Sequence, residues 1–208
     1  RWASMLSSAT AIACHEMEMT TYTIDTISGI VQEARQVPSP NFDRRPEGCV
    51  IDLLVIHGIS LPPNEFGGPY IDQLFTNTLD CDAHPYFDGL RGLRVSSHLL
   101  LRRDGELVQY VPFIHRAWHA GVSRWQGRER CNDFSIGIEL EGCDHLPYTE
   151  QQYRRLIPLC AAILAAYPQI SPDRVVGHCH IAPERKTDPG PSFDWQRLRV
   201  ALRSGERR

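Results

Sequence analysis

Residues 177–190 read GHCHIAPERKTDPG, a stretch in which His178, His180 and Asp188 offer metal-ligand atoms, Cys179 a thiol and Lys186 a cation. A further histidine, His57, ends the apolar run IDLLVIH (51–57), and His178 itself ends DRVVGH (173–178). If these runs are neighbouring strands, both imidazoles reach one point at the sheet edge. Asp188 can fold back onto that point through the Pro- and Gly-containing loop that precedes it. Two histidines and one carboxylate are the usual ligand set of a catalytic zinc, with a fourth position left for water. Spacing alone leaves other options open. Each strand-end histidine has an ordinary reading as a packed or surface residue, and residues 178 and 180 would point the same way on an extended strand. A nucleophilic cysteine, Cys179 or Cys131, would need a histidine partner and a lowered thiol pKa, which no local pattern supports.

The elements that must position these residues follow from hydrophobic periodicity. TISGIVQEARQV (26–37) predicts a helix ending before Pro38, and the continuous run 51–57 predicts a buried strand. SHLLLRR (97–103) and ELVQYV (106–111) flank Asp104-Gly105, as in a hairpin with a two-residue loop. FSIGIELEG (134–142) alternates as a strand does. Thr149 with Gln152 three residues on is a capping-box signature for a helix to about Tyr167, in which Pro158 is expected to introduce a kink. DRVVGH predicts another strand and DWQRLRVALR (194–203) a closing helix. Between 58 and 96 lies a long Pro/Gly-rich segment with room for one short helix near 70–79, the kind of loop that carries function. The fold class is α/β: a single domain with a central mixed β-sheet flanked by α-helices. The domain spans 23–208, and residues 1–22, which lack clear periodicity, are expected to be an upstream or disordered segment.

Composition narrows the function. The 208 residues are 42% hydrophobic and 23% charged, with a formal charge of −3 and no basic stripe to attract nucleic acid. No apolar run is long enough to span a bilayer. Seven cysteines without a CxxC pair or dense spacing argue for reduced thiols and a cytoplasmic location.

Several long ordered motifs carry a resemblance. LLVIHGISLPPNEFGGPYIDQLF, AHPYF, LRVSSHLLLRRDGELVQYVPF, RAWHAGVSRWQGRERCNDFSIGIELEG and GHCHIAPERKTDPGPSFDW closely resemble the AmpD family of zinc-dependent N-acetylmuramoyl-L-alanine amidases, over about residues 30–203. The resemblance implies the fold shared by these amidases and the peptidoglycan recognition proteins. It implies one Zn2+ per chain held by His57, His178 and Asp188, with Glu139, Lys186 and Tyr86 at the reacting centre. It also implies hydrolysis of the amide between (1,6-anhydro-)N-acetylmuramic acid and L-alanine in cell-wall recycling, with a muropeptide as substrate and no obligate protein partner. Carboxylates of the stem peptide call for arginine, and Arg94 and Arg130 occupy the matching positions. Trp118 offers an apolar face to a sugar ring, and His119 lines the cleft. His180 is expected near the metal but not as a ligand, His98 as structural, and Glu184 and Arg185 as solvent-facing. One position departs from the family: Gly58 follows His57 where asparagine is usual, which bears on substrate contact.

Overall fold

A computed structural model describes residues 20–205. The segment 1–22, read from the sequence as lying outside the domain, falls up to residue 19 beyond the described residues. The molecule is organised by one six-stranded mixed sheet. Its strands, in spatial order, are Val175–Gly177, Leu53–Ile59, Ser135–Glu141, Leu99–Leu101, Leu107–Gln109 and Arg35–Gln36. The first four run parallel, and Leu107–Gln109 turns back antiparallel to Leu99–Leu101.

The central strand explains the two faces of the sheet. Along Ser135–Glu141 the side chains alternate, so Ile136, Ile138 and Leu140 share one face while Ser135, Gly137, Glu139 and Glu141 share the other. The apolar face joins Leu54 and Ile56 of the neighbouring strand and packs under Tyr153, Leu156, Cys160 and Ile163 of the helix Glu150–Ala166, with Leu198 and Leu202 of the helix Trp195–Gly205. The capping box forms as predicted: Gln152 N–H donates to Thr149 Oγ1 at 3.1 Å, and Thr149 N–H donates to Gln152 Oε1 at 3.0 Å. The Gln152 amide also donates to the carbonyls of Leu101 and Glu141, tying the helix start to the sheet. The helix runs through Pro158 without a break; the ring removes only the donor that would have met the Arg154 carbonyl.

Two predictions of local structure are corrected. Residues 26–37 do not form a helix. Their backbone groups are taken by distant partners, with Val31 N–H donating to Gln109 Oε1 at 2.8 Å and Phe113 N–H to the Gly29 carbonyl at 2.9 Å. The short pairs Ile24–Asp25 with Ile30–Val31, and Arg35–Gln36 on the sheet edge, replace the helix. The hairpin loop is also one residue longer than predicted. Arg102 N–H donates to the Glu106 carbonyl, leaving three residues in the turn, with Gly105 at φ +90°.

The polar face of the sheet is buried too, because loops cover it. Glu141 is only 2% exposed. Its carboxylate accepts from Gly67 N–H at 2.6 Å, from Arg103 N–H at 3.1 Å and from Arg102 Nη1 at 3.3 Å, so it clamps the long loop to the hairpin. Removing one partner of a buried ion pair costs about 3–5 kcal/mol. A Glu141→Ala variant should therefore lose on the order of 3 kcal/mol in urea unfolding, a loss too large for a surface carboxylate.

His98 is fully buried beneath the same loops. Its Nδ1 accepts from Gly137 N–H at 3.0 Å, and its Nε2–H donates to the His115 carbonyl at 3.1 Å. Burial first, and then the charge of Arg45, hold its pKa well below the ordinary 6.5. The folded state therefore binds fewer protons than the unfolded chain below pH 6.5. The stabilisation is complete above that pH and declines as pH falls through it. Unfolding free energy should drop as pH falls from 7 to 5, the His98 contribution steepening towards about 1.4 kcal/mol per pH unit as pH passes below 6.5. A His98→Asn variant, which keeps the acceptor for Gly137, should show a correspondingly shallower slope in the same titration.

Candidate metal centre

Register alone brings three functional groups together. In the parallel pairing of Leu53–Ile59 with Ser135–Glu141, His57 lies opposite Glu139 on the same face. Gly177 pairs with Ile56, so the next residue, His178, arrives level with His57. The strand stops at Gly177, however, and His178 opens a short helix, His178–Ile181, one residue before the predicted strand end. Asp188 returns to the site on a loop that is closed where Cys179 N–H donates to the Asp188 carbonyl at 2.9 Å.

The ligand atoms converge closely. His57 Nδ1 stands 3.0 Å from His178 Nδ1, and Asp188 Oδ2 lies 3.1 Å from the His178 atom and 3.3 Å from the His57 atom. These three atoms form a group able to hold one metal ion. Four-coordinate N and O ligands at about 2.0–2.1 Å from an ion sit roughly 3.3 Å from one another, which matches the spacing. The far sides of both rings are occupied: His178 Nε2 faces the Ala120 carbonyl at 3.1 Å and His57 Nε2 faces His119 Nδ1 at 2.8 Å. A carbonyl can only accept, so Nε2 of His178 carries a proton, and it is Nδ1 that is aimed at the gap.

The electrostatics agree. His57 is 1% exposed; burial first, then the charge of His178, lowers its pKa to about 4 against the pull of Asp188, so the ring is neutral at pH 7. Burial works against the Asp188 charge, yet the two imidazoles hold it well below the ordinary carboxylate range. The neutral His57 ring and the charged Asp188 carboxylate form part of a donor set that a divalent cation suits. Glu139 behaves oppositely. Burial, then the nearby Asp188 charge, pushes its pKa well above the ordinary value, with Lys186 opposing. Its Oε1 is 3.9 Å from His57 Nδ1, close to the gap but outside the three-atom group. The two carboxylates thus sit in environments that push their pKa values apart.

His180 lies outside the three-residue group. On the helical turn it swings away from His178; its Nδ1 accepts from Gly177 N–H at 2.8 Å and its ring packs on Trp195. Cys179 is half-buried, and burial raises its thiol, the opposite of an activated nucleophile.

A cleft of about 670 Å³ opens over the gap. Lys186, Tyr86, Trp118 and His119 all line it with the ligand residues and Glu139. Tyr86 is half-exposed at the rim, whereas His119 is 8% exposed and buried behind His57. Arg94 is exposed and not itself part of the lining, although Leu93 and Val95 on either side are. Arg130 also lies outside the lining, and its guanidinium pairs with Asp133 at 3.3 Å. Arg185 is exposed, as expected, and its guanidinium also lines the cleft and donates to the carbonyls of Ala120 and Val122, both at 2.8 Å. His145, an exposed residue, also borders it. Both contacts join segments far apart in sequence, so no local signal could have found them. At Gly58 a Cβ would stand 2.5 Å from the Tyr148 hydroxyl, so the glycine leaves that hydroxyl its place against the Pro189 carbonyl.

Comparisons with known proteins agree with this geometry. A family model described as N-acetylmuramoyl-L-alanine amidase matches residues 47–191. The chain is 65% identical over 174 residues to the 1,6-anhydro-N-acetylmuramyl-L-alanine amidase AmpD of Citrobacter freundii, covering 84% of this chain and 92% of that protein. It superposes on the crystal structure of a selenomethionine AmpD derivative with a TM-score of 0.83 at 62% identity, over 86% of this chain and 99% of that one. A more distant match is the Escherichia coli amidase AmiD, solved in complex with the substrate anhydro-N-acetylmuramic acid-L-Ala-D-γ-Glu-L-Lys. Its TM-score is 0.55 at 35% identity, over 76% of this chain and 60% of that one. With its sheet, its His57–His178–Asp188 cluster and these relatives in accord, the chain belongs to the N-acetylmuramoyl-L-alanine amidase family, in its AmpD-type branch.

Proposed function

We propose that this protein is a zinc-dependent amidase that cleaves the bond between 1,6-anhydro-N-acetylmuramic acid and the L-alanine of a stem peptide, in cell-wall recycling. The observation that carries the reading is the cluster of His57 Nδ1, His178 Nδ1 and Asp188 Oδ2 at 3.0–3.3 Å, with Glu139 beside it. The names of the AmpD relatives supply the bond and the sugar. A cytoplasmic site of action is part of the proposal. It is supported by the six described cysteines, all free, and by the absence, among the described residues, of a helix long and apolar enough to cross a membrane.

Amides resist hydrolysis because their carbonyl is a poor electrophile and their nitrogen a poor leaving group. A zinc ion held by His57, His178 and Asp188 would supply Lewis acidity, polarising the carbonyl and acidifying water from pKa about 15.7 towards roughly 7. The chain's own residues do the rest. Glu139, set back from the ligands in a buried pocket with a raised pKa, takes a proton from the attacking water and returns it to the departing nitrogen. Lys186, on the cleft wall, places a cation where negative charge grows on the carbonyl oxygen. Trp118, Leu93 and Val95 give one wall an apolar surface suited to a sugar ring. Tyr86 closes the rim. Arg94, between two lining residues, and Arg130 are proposed to meet the peptide carboxylates at the outer end, Arg130 by exchanging its partner Asp133.

Mass spectrometry of an anhydromuramyl tripeptide incubated with zinc-loaded protein should reveal free tripeptide and the anhydro-sugar acid. A chelator should abolish both products and added zinc restore them; turnover that survives chelation would sink the zinc assignment. Glu139→Gln should lower kcat by about 10²–10⁴-fold while leaving stoichiometric metal binding intact. Loss of metal in that variant would instead make Glu139 a ligand.

A further inference from the structure

His119 lines the cleft, but it is only 8% exposed and its ring is set behind His57. Its contacts have a direction that can be worked out. Ser135 Oγ stands 2.6 Å from the Cys131 carbonyl oxygen. Two oxygens approach that closely only with a proton between them, so the single hydroxyl proton of Ser135 is committed to Cys131. Ser135 Oγ can then only accept from its other neighbour, His119 Nε2, at 3.2 Å. The His119 proton therefore sits on Nε2, and its Nδ1 is a lone pair. That lone pair faces His57 Nε2 at 2.8 Å, which must donate to it. His57 is thereby fixed with its proton on Nε2 and its own lone pair on Nδ1, the atom that faces His178 and Asp188.

The setting is built for this arrangement. His119 and His57 meet edge to face, with an interplanar angle of 89°. Gly137 makes room for the ring, since a Cβ there would stand 2.6 Å from His119 Cγ. Asn132 Oδ1 accepts from the backbone N–H groups of both His119 and Ala120, at 3.2 and 2.8 Å, which pins the dipeptide. The next carbonyl, that of Ala120, accepts from His178 Nε2. One two-residue stretch thus engages the far nitrogens of both ligand histidines.

We infer that His119, oriented by Ser135 and Gly137, is a positioning residue that fixes the tautomer of His57 and so presents its Nδ1 to the metal. The inference rests on the zinc reading above, and it assigns His119 to the support of a ligand instead of to the substrate. Outer partners of this kind are generally worth about 10–100-fold in metal affinity.

The test is zinc affinity, measured by competition with a chromogenic chelator, for the parent protein, His119→Leu and His119→Asn. Leucine fills space without an acceptor and should weaken zinc binding by about 10–100-fold. Asparagine keeps an acceptor near the Nδ1 position and should recover most of that loss. Equal affinity in the parent and the leucine variant, or asparagine as weak as leucine, would overturn the inference alone. A parent protein that binds no zinc would overturn the zinc reading with it. Should the leucine variant fail to fold, long-range ¹⁵N–¹H correlations of the zinc-loaded parent decide. They should report His119 protonated on Nε2 and not on Nδ1, and a proton on its Nδ1 would refute the assignment.

Discussion

The pairing of Leu53–Ile59 with Ser135–Glu141, in parallel and in register, is the constraint on which the rest depends. It sets His57 beside Glu139 and directs both to the face opposite the helices. A slip of one residue would turn every side chain of the strand to the other face, placing carboxylates in the helix-packed core and isoleucines in the cleft. The apolar face, with Leu54, Ile56, Ile136 and Ile138 packed beneath the capped helix, guards against that slip. Precision at the site is thus secured by hydrophobic burial on the far side of the sheet.

The polar face of Ser135–Glu141 reads as a row of separate tasks. Ser135 orients the His119 ring, Gly137 leaves room for it, Glu139 borders the metal gap, and Glu141 clamps the long loop at Gly67. Glu139 and Glu141 are two residues apart and both buried, yet their surroundings differ. Glu141 accepts from two backbone N–H groups and an arginine, which suits a charged anchor. Glu139 has burial and a neighbouring carboxylate against its charge, which suits a group that carries a proton. Chemical identity is the same in the two cases, and environment divides the roles.

Much of this was legible in the sequence wherever the determining forces are local. The apolar run ending at His57, the alternation of SIGIELE and the Thr149–Gln152 capping box each describe interactions spanning a few residues, and each forms in the structure. Segment 26–37 has helical spacing but is held by Gln109 and Phe113, about eighty residues away, and no periodicity encodes that. The same holds for Arg185, whose partners lie on the 120–122 loop, and for Glu141, whose burial depends on a loop that crosses from residue 67. His180 sits between the two cases. An extended strand would have aligned it with His178, and the change to helix after Gly177 turned it towards Trp195.

Ligand geometry requires rigidity on both sides of each imidazole, and the two sides are supplied differently. The near nitrogens converge through sheet register, which the central strands impose once they pair. The far nitrogens need a lone pair at His119 Nδ1 and a carbonyl at Ala120, both on a loop with no regular structure of its own. That loop is held by the Asn132 side chain, by the Arg185 guanidinium on the Ala120 carbonyl, and by Ser135 through the His119 ring. Regular structure therefore places the three converging atoms, while side chains on an irregular loop meet the far nitrogens of both rings.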